Sequence, residues 1–229
     1  AHYLPENECG SFIATSGGEL LKYVKRDKVK ILRLPVHSKN PFLIIFNALV
    51  LAIYIILYKI NIIHARSRAP AWACYFACLL TNRIFVTTFH GTYNFKNKFK
   101  KFHNSVMLKS NLTIAGSNFI FNHINENYSE YFSKKKKLRV IFRGINIDYY
   151  NSKNISILKR EKLKQEWNLS SNLFTILLPG RLTYWKGQEK FIESLNILIE
   201  DYNVINFQAI ILGSDQGRTV YKKKLINLV

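Results

Sequence analysis

Two short apolar segments on either side of a helical pattern constrain the fold more than any other feature of this sequence. Residues 60–64 and 84–89 have the length and apolar character of buried strands. Between them, a helix is predicted from near Pro70, because proline is tolerated in the first helical turn, to about Leu80. Strand, helix and strand in this order form a βαβ unit. The sequence therefore predicts an α/β fold with a parallel sheet.

Polar and basic residues follow both predicted strands. The carboxyl ends of parallel strands lie at one edge of the sheet, and α/β folds bind ligands at that edge. We therefore expect both groups of residues to face a common cleft and to bind substrate. They are Arg66, Ser67, Arg68, His90, Gly91 and Thr92.

A further strand, loop and helix follow one another in residues 174–199. The apolar run 174–178 is a predicted strand, which Pro179 and Gly180 end. A basic loop with Arg181 and Lys186 follows, and a helix is predicted from Gln188 by its apolar spacing. The first turn of a helix has unpaired N–H groups and a positive dipole end, so this loop is suited to an anion. A solvated basic loop is the alternative.

These motifs resemble those of the retaining glycosyltransferases of family 4. The resemblance rests on residues 64–72 and 86–93, and on Gly180-Arg181-Leu182 followed by Lys186-Gly187. It implies the GT-B fold, which has two Rossmann-like parallel-sheet domains. We expect an N-terminal acceptor-side domain at residues 1–150 and the start of a donor-binding domain at residues 151–229.

The resemblance also implies an activity, which is the transfer of a sugar from a nucleotide-sugar to a hydroxyl acceptor. Gly180, Arg181, Lys186 and Gly187 would hold the donor diphosphate, and the two cations would stabilise the charge on the leaving group. His90 would act near the sugar or the acceptor, although it could instead be a structural histidine. We expect catalytic roles for His90, Arg181 and Lys186, and structural roles for the histidines at 64 and 103. We expect no cofactor and no metal. The acceptor would be a saccharide or a lipid-linked saccharide of the bacterial envelope, such as lipopolysaccharide.

The sequence departs from the family pattern in three places. Asn146 stands where the family usually has aspartate. The first βα unit of the N-terminal domain and the pair of glutamates that grips the nucleotide have no counterpart. We therefore expect a chain truncated at both ends, with an incomplete second domain. An inactive remnant, or one half of a split enzyme, is the alternative.

The formal net charge is +20, from 34 basic and 14 acidic residues. Such a charge predicts attraction to anions, among them nucleic acid, acidic lipid and phosphorylated substrates. No nucleic-acid-binding fold motif is present, so nucleic acid is not an expected partner. A basic protein that binds membrane surfaces or nucleic acid remains the non-enzymatic alternative. Lysine and phenylalanine alternate in residues 94–103, which predicts a loop in contact with lipid. The lysine run 134–137 predicts a solvated turn.

Residues 41–60 form the most apolar segment and come close to the ~20 residues that span a bilayer. A helix buried against a sheet, with one face on the membrane surface, is expected; a transmembrane helix is the alternative. Cys74 and Cys78 lie one helical turn apart and are expected to be buried thiols, as in a reducing compartment. We expect a cytoplasmic protein that docks on the inner face of the cell membrane.

Overall fold

The computed structural model describes residues 1, 3–93, 95, 97–131 and 137–229. The chain divides into two compact units, Ala1–Gly144 and Ile145–Val229. The predicted domains met at residue 150. Each unit is described by itself below.

The first unit contains two parallel sheets, which confirms the predicted α/β class. One sheet pairs β1 with β2, and the other has the order β3-β4-β5-β6. In the second sheet Ala65 pairs with Thr87, and Phe89 pairs with Ala115, so the strands end close to one another. The strands are β1 (Phe12–Thr15), β2 (Lys30–Arg33), β3 (Ile62–Ala65), β4 (Ile84–Phe89), β5 (Leu112–Ala115) and β6 (Lys137–Val140).

Four α-helices belong to the first unit: α1 (Pro41–Leu57), α2 (Arg68–Thr81), α3 (Lys98–Ser105) and α4 (Asn118–Tyr128). Side chains at the N-caps accept backbone N–H groups at three of them, α1, α3 and α4. The helix α2, predicted from near Pro70 to about Leu80, begins two residues earlier, at Arg68, because Ser67 is still extended and the helical turn starts at the next residue. The basic turn after β3 therefore already contains the first residue of α2.

The apolar segment 41–60 forms α1, which is only half buried. Its inner face packs mainly on α2 through Ala48, Leu51 and Ile55. Its outer face exposes large apolar side chains, among them Phe42 at 82% and Leu57 at 69%. The inner face is buried mainly against the helix α2, and nothing described covers the outer face, so the predicted contact of that face with a membrane surface stays a prediction. Within the described ranges, no helix is long and apolar enough to cross a membrane.

Within the predicted loop 94–103, residues 98–103 belong instead to the helix α3 (Lys98–Ser105). The Asn97 side chain caps it by accepting the Lys100 N–H at 2.8 Å, and Trp72 Nε1 donates to the carbonyl of His103 at 3.2 Å. The buried positions of this helix are the polar Asn104 and Ser105. Residues 94 and 96 of the predicted loop, and 134–136 of the predicted lysine turn, lie outside the described residues.

The core of the first unit lies between the second sheet and its helices. Phe89, Met107 and Tyr128 are fully buried there. Hydroxyls of Thr87 and Thr113 both donate to the carbonyl of Met107, at 2.5 and 3.1 Å, and so fix the segment before β5 beneath the sheet. The packing holds β4 and β5 rigid up to their carboxyl ends.

The second unit has one parallel sheet and three α-helices. Its strands are β7 (Phe174–Pro179) and β8 (Phe207–Leu212), which pair along their full lengths. The predicted strand–loop–helix pattern of residues 174–199 is confirmed, with a short 3₁₀ helix, Tyr184–Lys186, inside the loop. The helices are α5 (Ile157–Glu166), α6 (Gln188–Glu200) and α7 (Thr219–Ile226).

Candidate functional site

The carboxyl edge of the second sheet brings three basic side chains of the first unit together. Arg66 follows β3, His90 follows β4, and Arg143 lies three residues beyond β6. Arg143 Nη2 lies 2.9 Å from His90 Nδ1, and Arg66 Nε lies 3.3 Å from His90 Nε2. We call these residues the edge cluster. Two of the predicted site residues, Arg66 and His90, therefore meet, as the βαβ pattern indicates.

The surroundings of His90 disfavour the charged form of its imidazole. Partial removal from water, and then the positive charges of Arg66 and Arg143, lower the pKa of His90 below its ordinary value, and His64 adds to this. Burial also lowers the pKa of His64, and the positive charge of Arg66 lowers it further by a smaller amount. His64 Nε2 lies 2.7 Å from Thr88 Oγ1, as a structural histidine would. A neutral His90 has one donor and one acceptor nitrogen for hydrogen bonds.

The other predicted residues of this edge lie apart from the edge cluster. Arg68, the first residue of α2, donates to Asn104 Oδ1 at 2.8 Å. Its Cζ lies 4.4 Å from the centroid of the Tyr93 ring. Ser67 and Thr92 are exposed. Ser67 occupies the N-cap of α2 without a side-chain capping bond. Gly91 has open space where a side chain would project. Their binding roles stay predictions.

In the second unit, the loops after β7 and β8 continue the pairing of the two strands. Gly180 N donates to the carbonyl of Leu212 at 2.8 Å, and Leu182 N donates to the carbonyl of Ser214 at 3.0 Å. The fully buried Gln188, first residue of α6, donates from Nε2 to the carbonyl of Arg181 at 2.9 Å. The backbone around Arg181 is therefore held on both sides.

Three cationic side chains lie on these loops. Arg181 and Arg218 both donate to Gln216 Oε1, at 3.4 and 3.1 Å. The stem of Lys186 passes over Gly180, since a Cβ at that glycine would lie 3.7 Å from Lys186 Cδ. Gly187 has a φ of 77°, a left-handed conformation that favours glycine and that lets α6 begin directly after the loop. The loops thus present guanidinium and ammonium groups near a helix N-terminus, a setting that suits a phosphate.

Three residues at these sites were not among those predicted from the sequence: Arg143, Gln216 and Arg218. Arg143 follows the strand β6 of the same parallel sheet, as His90 follows β4. Gln216 and Arg218 follow β8 in the same way that Arg181 follows β7. In both units the candidate residues thus lie beyond the carboxyl ends of strands.

No group of three or more His, Cys, Asp or Glu side chains that could hold a metal ion occurs within the described residues. Metal independence of the reaction stays a prediction.

Comparison with known proteins places the sequence in a family. The sequence model of Glycosyltransferase Family 4 matches residues 1–149 of the 229. The chain belongs to glycosyltransferase family 4. A search of curated proteins gave no match for this family 4 sequence.

Solved structures agree with the family and show the fold. A glycosyltransferase from Rickettsia africae is 37% identical with a TM-score of 0.82; the match covers 100% of the family 4 chain and 58% of the Rickettsia chain. HepE from Anabaena, solved in complex with UDP and glucose, is 18% identical with a TM-score of 0.75, over 99% of this chain and 59% of HepE. Sucrose-phosphate synthase from Thermosynechococcus elongatus is 12% identical with a TM-score of 0.64, over 98% of this chain and 65% of that one. The fold is thus that of GT-B glycosyltransferases, and the chain spans less than two thirds of each of these structures.

Proposed function

We propose that this chain is part of a glycosyltransferase that moves a hexosyl group from a nucleotide-sugar to a hydroxyl acceptor. The acceptor would be a saccharide or a lipid-linked saccharide in the synthesis of bacterial envelope glycans such as lipopolysaccharide. The observation that carries the proposal is the pair of loops after β7 and β8, on which Arg181 and Arg218 share Gln216 Oε1 and Lys186 lies two residues before the first residue of α6.

The proposed donor site is the loop that contains Gly180, Arg181, Lys186 and Gly187. A guanidinium binds two oxygens of a phosphate at once, and a lysine adds a compact point charge. Negative charge grows on the diphosphate as the glycosidic bond breaks. Fixed cations that meet this charge stabilise the transition state more than the ground state, and they would supply most of the rate.

His90 would serve in the first unit as a neutral hydrogen-bonding group. Its lowered pKa makes it a poor source of a full positive charge near pH 7, but it suits the donation or acceptance of one hydrogen bond to a sugar hydroxyl. Arg66, Ser67, Arg68, Gly91 and Thr92 would complete the substrate-binding residues.

The donor site is tested by titration calorimetry with UDP. We expect UDP to bind the wild-type chain. The variants Arg181→Ala and Lys186→Ala should each weaken binding about tenfold or more, since a charge-assisted hydrogen bond contributes about 1.5–3 kcal/mol. The matched control is Arg160→Ala, which removes an exposed arginine of α5 and should bind UDP as the wild type does.

The outcome that contradicts the donor site is UDP binding that both loop variants leave unchanged. A loss of binding that the control shares would reflect net charge and not the loop, and would count against the proposal as well.

We also propose that the first unit docks on an anionic bilayer at the inner face of the cell membrane. The proposal is supported by α3, where the exposed Phe99 lies between the exposed Lys98 and Lys100. The ring of Phe102 lies 5.6 Å from that of Trp72 on α2. Interleaved lysine and aromatic side chains bind the boundary between lipid headgroups and acyl chains. The net charge of +20 favours an anionic surface over a neutral one.

Vesicle sedimentation tests this docking. Each lysine near an anionic surface contributes about 1 kcal/mol, so the double variant Lys98→Gln, Lys100→Gln should bind phosphatidylglycerol vesicles about 25-fold more weakly. The control Lys222→Gln, Lys223→Gln removes the same charge from α7 and should bind as the wild type does. Equal binding to neutral phosphatidylcholine vesicles, or no difference between the two double variants, would refute docking through α3.

A further inference from the structure

The edge cluster has more hydrogen-bond donors than acceptors. The guanidinium groups of Arg66 and Arg143 approach opposite nitrogens of one imidazole, at 3.3 and 2.9 Å. A neutral imidazole has a lone pair on only one ring nitrogen, and an imidazolium has none. Only one of the two contacts can therefore be a full hydrogen bond, and the shorter one, from Arg143, is the better candidate. Arg66 is then left facing an N–H group.

No carboxylate neutralises the two arginines within the described part of the chain. The six ion pairs found there all join a lysine to a glutamate, and none involves an arginine. Gly116, after β5, lies beside the Arg143 guanidinium: a Cβ there would be 3.8 Å from Arg143 Nε. Both arginines are exposed, so a solute can reach them.

The neighbouring helix adds to the same polarity. Ser67 follows Arg66 directly, and its hydroxyl does not cap α2, a helix of 14 residues. The uncapped first turn carries unpaired N–H groups and the positive end of the helix dipole. The edge cluster and this helix end together offer many donors and positive charge, and they lack an anionic acceptor.

We infer that Arg66 and Arg143 bind an oxyanion carried by the glycosyl acceptor, a phosphate or a carboxylate. An oxyanion supplies the lone pairs that His90 cannot, and guanidinium groups bind it through paired hydrogen bonds. The inference rests on the proposed function only in that the second substrate is a glycosyl acceptor. The donor diphosphate has its own proposed residues, Arg181 and Lys186, and we assign the anion at the edge cluster to the other substrate.

The test titrates the full chain with inorganic phosphate and, separately, with sodium acetate at constant ionic strength. Binding is followed by NMR on the imidazole protons of His90. We expect phosphate or acetate to raise the pKa of His90, because an added negative charge favours the imidazolium. Arg66→Gln and Arg143→Gln should each lower the affinity for the anion about tenfold or more. The control Arg83→Gln removes an exposed arginine from the opposite, amino end of β4 and should leave affinity unchanged.

The relative affinities for the two anions indicate which acidic group the acceptor carries. Tighter binding of phosphate indicates a phosphorylated acceptor, and tighter binding of acetate indicates an acidic sugar. The inference is overturned if neither anion binds, or if both edge-cluster variants bind as the control does.

UDP titrations separate this inference from the proposed function. If Arg66→Gln and Arg143→Gln lower the affinity for UDP as much as they lower the affinity for phosphate, the edge cluster is part of the donor site and the inference fails. If the wild-type chain binds phosphate at the edge cluster but does not bind UDP, the donor site fails while the oxyanion site stands.

Discussion

Gly213 lies where the two loops of the second unit meet, and replacing it with alanine should disturb both stability and the donor loop. An added Cβ would lie 1.9 Å from the carbonyl oxygen of Gly180 and 2.6 Å from its carbon. Real Cβ atoms essentially never approach within 3.0 Å of such atoms, so the backbones must separate by at least 1.1 Å, the difference between 3.0 and 1.9 Å. A shift of this size is enough to break the 2.8 Å hydrogen bond from Gly180 N to Leu212.

The cost of this shift can be estimated. Overpacking of this kind costs about 1–3 kcal/mol, and one backbone hydrogen bond contributes about 1 kcal/mol. We therefore expect Gly213→Ala to lower the free energy of unfolding by about 2–4 kcal/mol in urea titrations. Because Arg181 directly follows Gly180, we also expect UDP binding to weaken about tenfold when measured under conditions where the variant is folded.

Gly144→Ala is the matched control for this prediction. No atom lies within 4 Å of a Cβ at Gly144, and its φ is not in the left-handed region. This variant should keep the wild-type urea midpoint and UDP affinity. If Gly213→Ala also keeps both, the close approach of the two loops is not a real constraint, and the reasoning is refuted.

Three further predictions concern the first unit. Tyr128→Phe removes the hydroxyl that accepts from Asn104 Nδ2 at 3.0 Å in the core, so we expect a loss of about 1 kcal/mol and a Tm lower by about 2–4 °C in calorimetry; an unchanged Tm would contradict it. Because the pKa of His90 is lowered in the folded state, the unfolded chain takes up a proton first as the pH falls below about 6.5, and stability decreases. The decrease between pH 7.5 and 5.5, measured by urea midpoints, should be smaller in His90→Gln, and an equal decrease would argue against the lowered pKa. Iodoacetamide at pH 8 should modify only the exposed Cys9, since burial raises the pKa of both cysteines of α2 to about 12; mass spectrometry would show modification at α2 if this is wrong.

The strands were the most predictable elements of the fold. The strand β4 lies where its apolar run placed it, because Arg83 and His90 bound the run and the sheet buries four of its six residues. Cys74 and Cys78 were predicted as buried thiols, and both are buried. Local pattern was sufficient where burial is continuous along the element.

The helix α3 could not be predicted from local pattern. Its buried positions are Asn104 and Ser105, and Asn104 accepts from Arg68 and donates to Tyr128. Hydrogen bonds to residues distant in sequence hold this helix, and such bonds leave no local pattern in the sequence.

The helix α1 was predicted as an element, but the sequence did not indicate which of its faces packs. Its sequence is apolar on all sides, so it does not indicate which side packs against the rest of the unit. Among the described residues only the α2 side is covered, so composition alone did not reveal which face packs. The edge cluster was predictable only in part, because the contact of His90 with Arg143 depends on strand order, and strand order is a property of the whole sheet.

The hydrogen bonds that tie Gly180 and Leu182 to the strand-end residues Leu212 and Ser214 have a consequence for how a nucleotide would bind. The donor loop is an extension of the sheet, so its backbone is already ordered before any ligand arrives. A diphosphate would therefore bind without the conformational entropy cost of about 1–2 kcal/mol per residue that a disordered loop must lose. Association at this loop would be limited by diffusion and charge rather than by a folding step, and the Leu182 amide should exchange slowly with deuterium in the ligand-free protein.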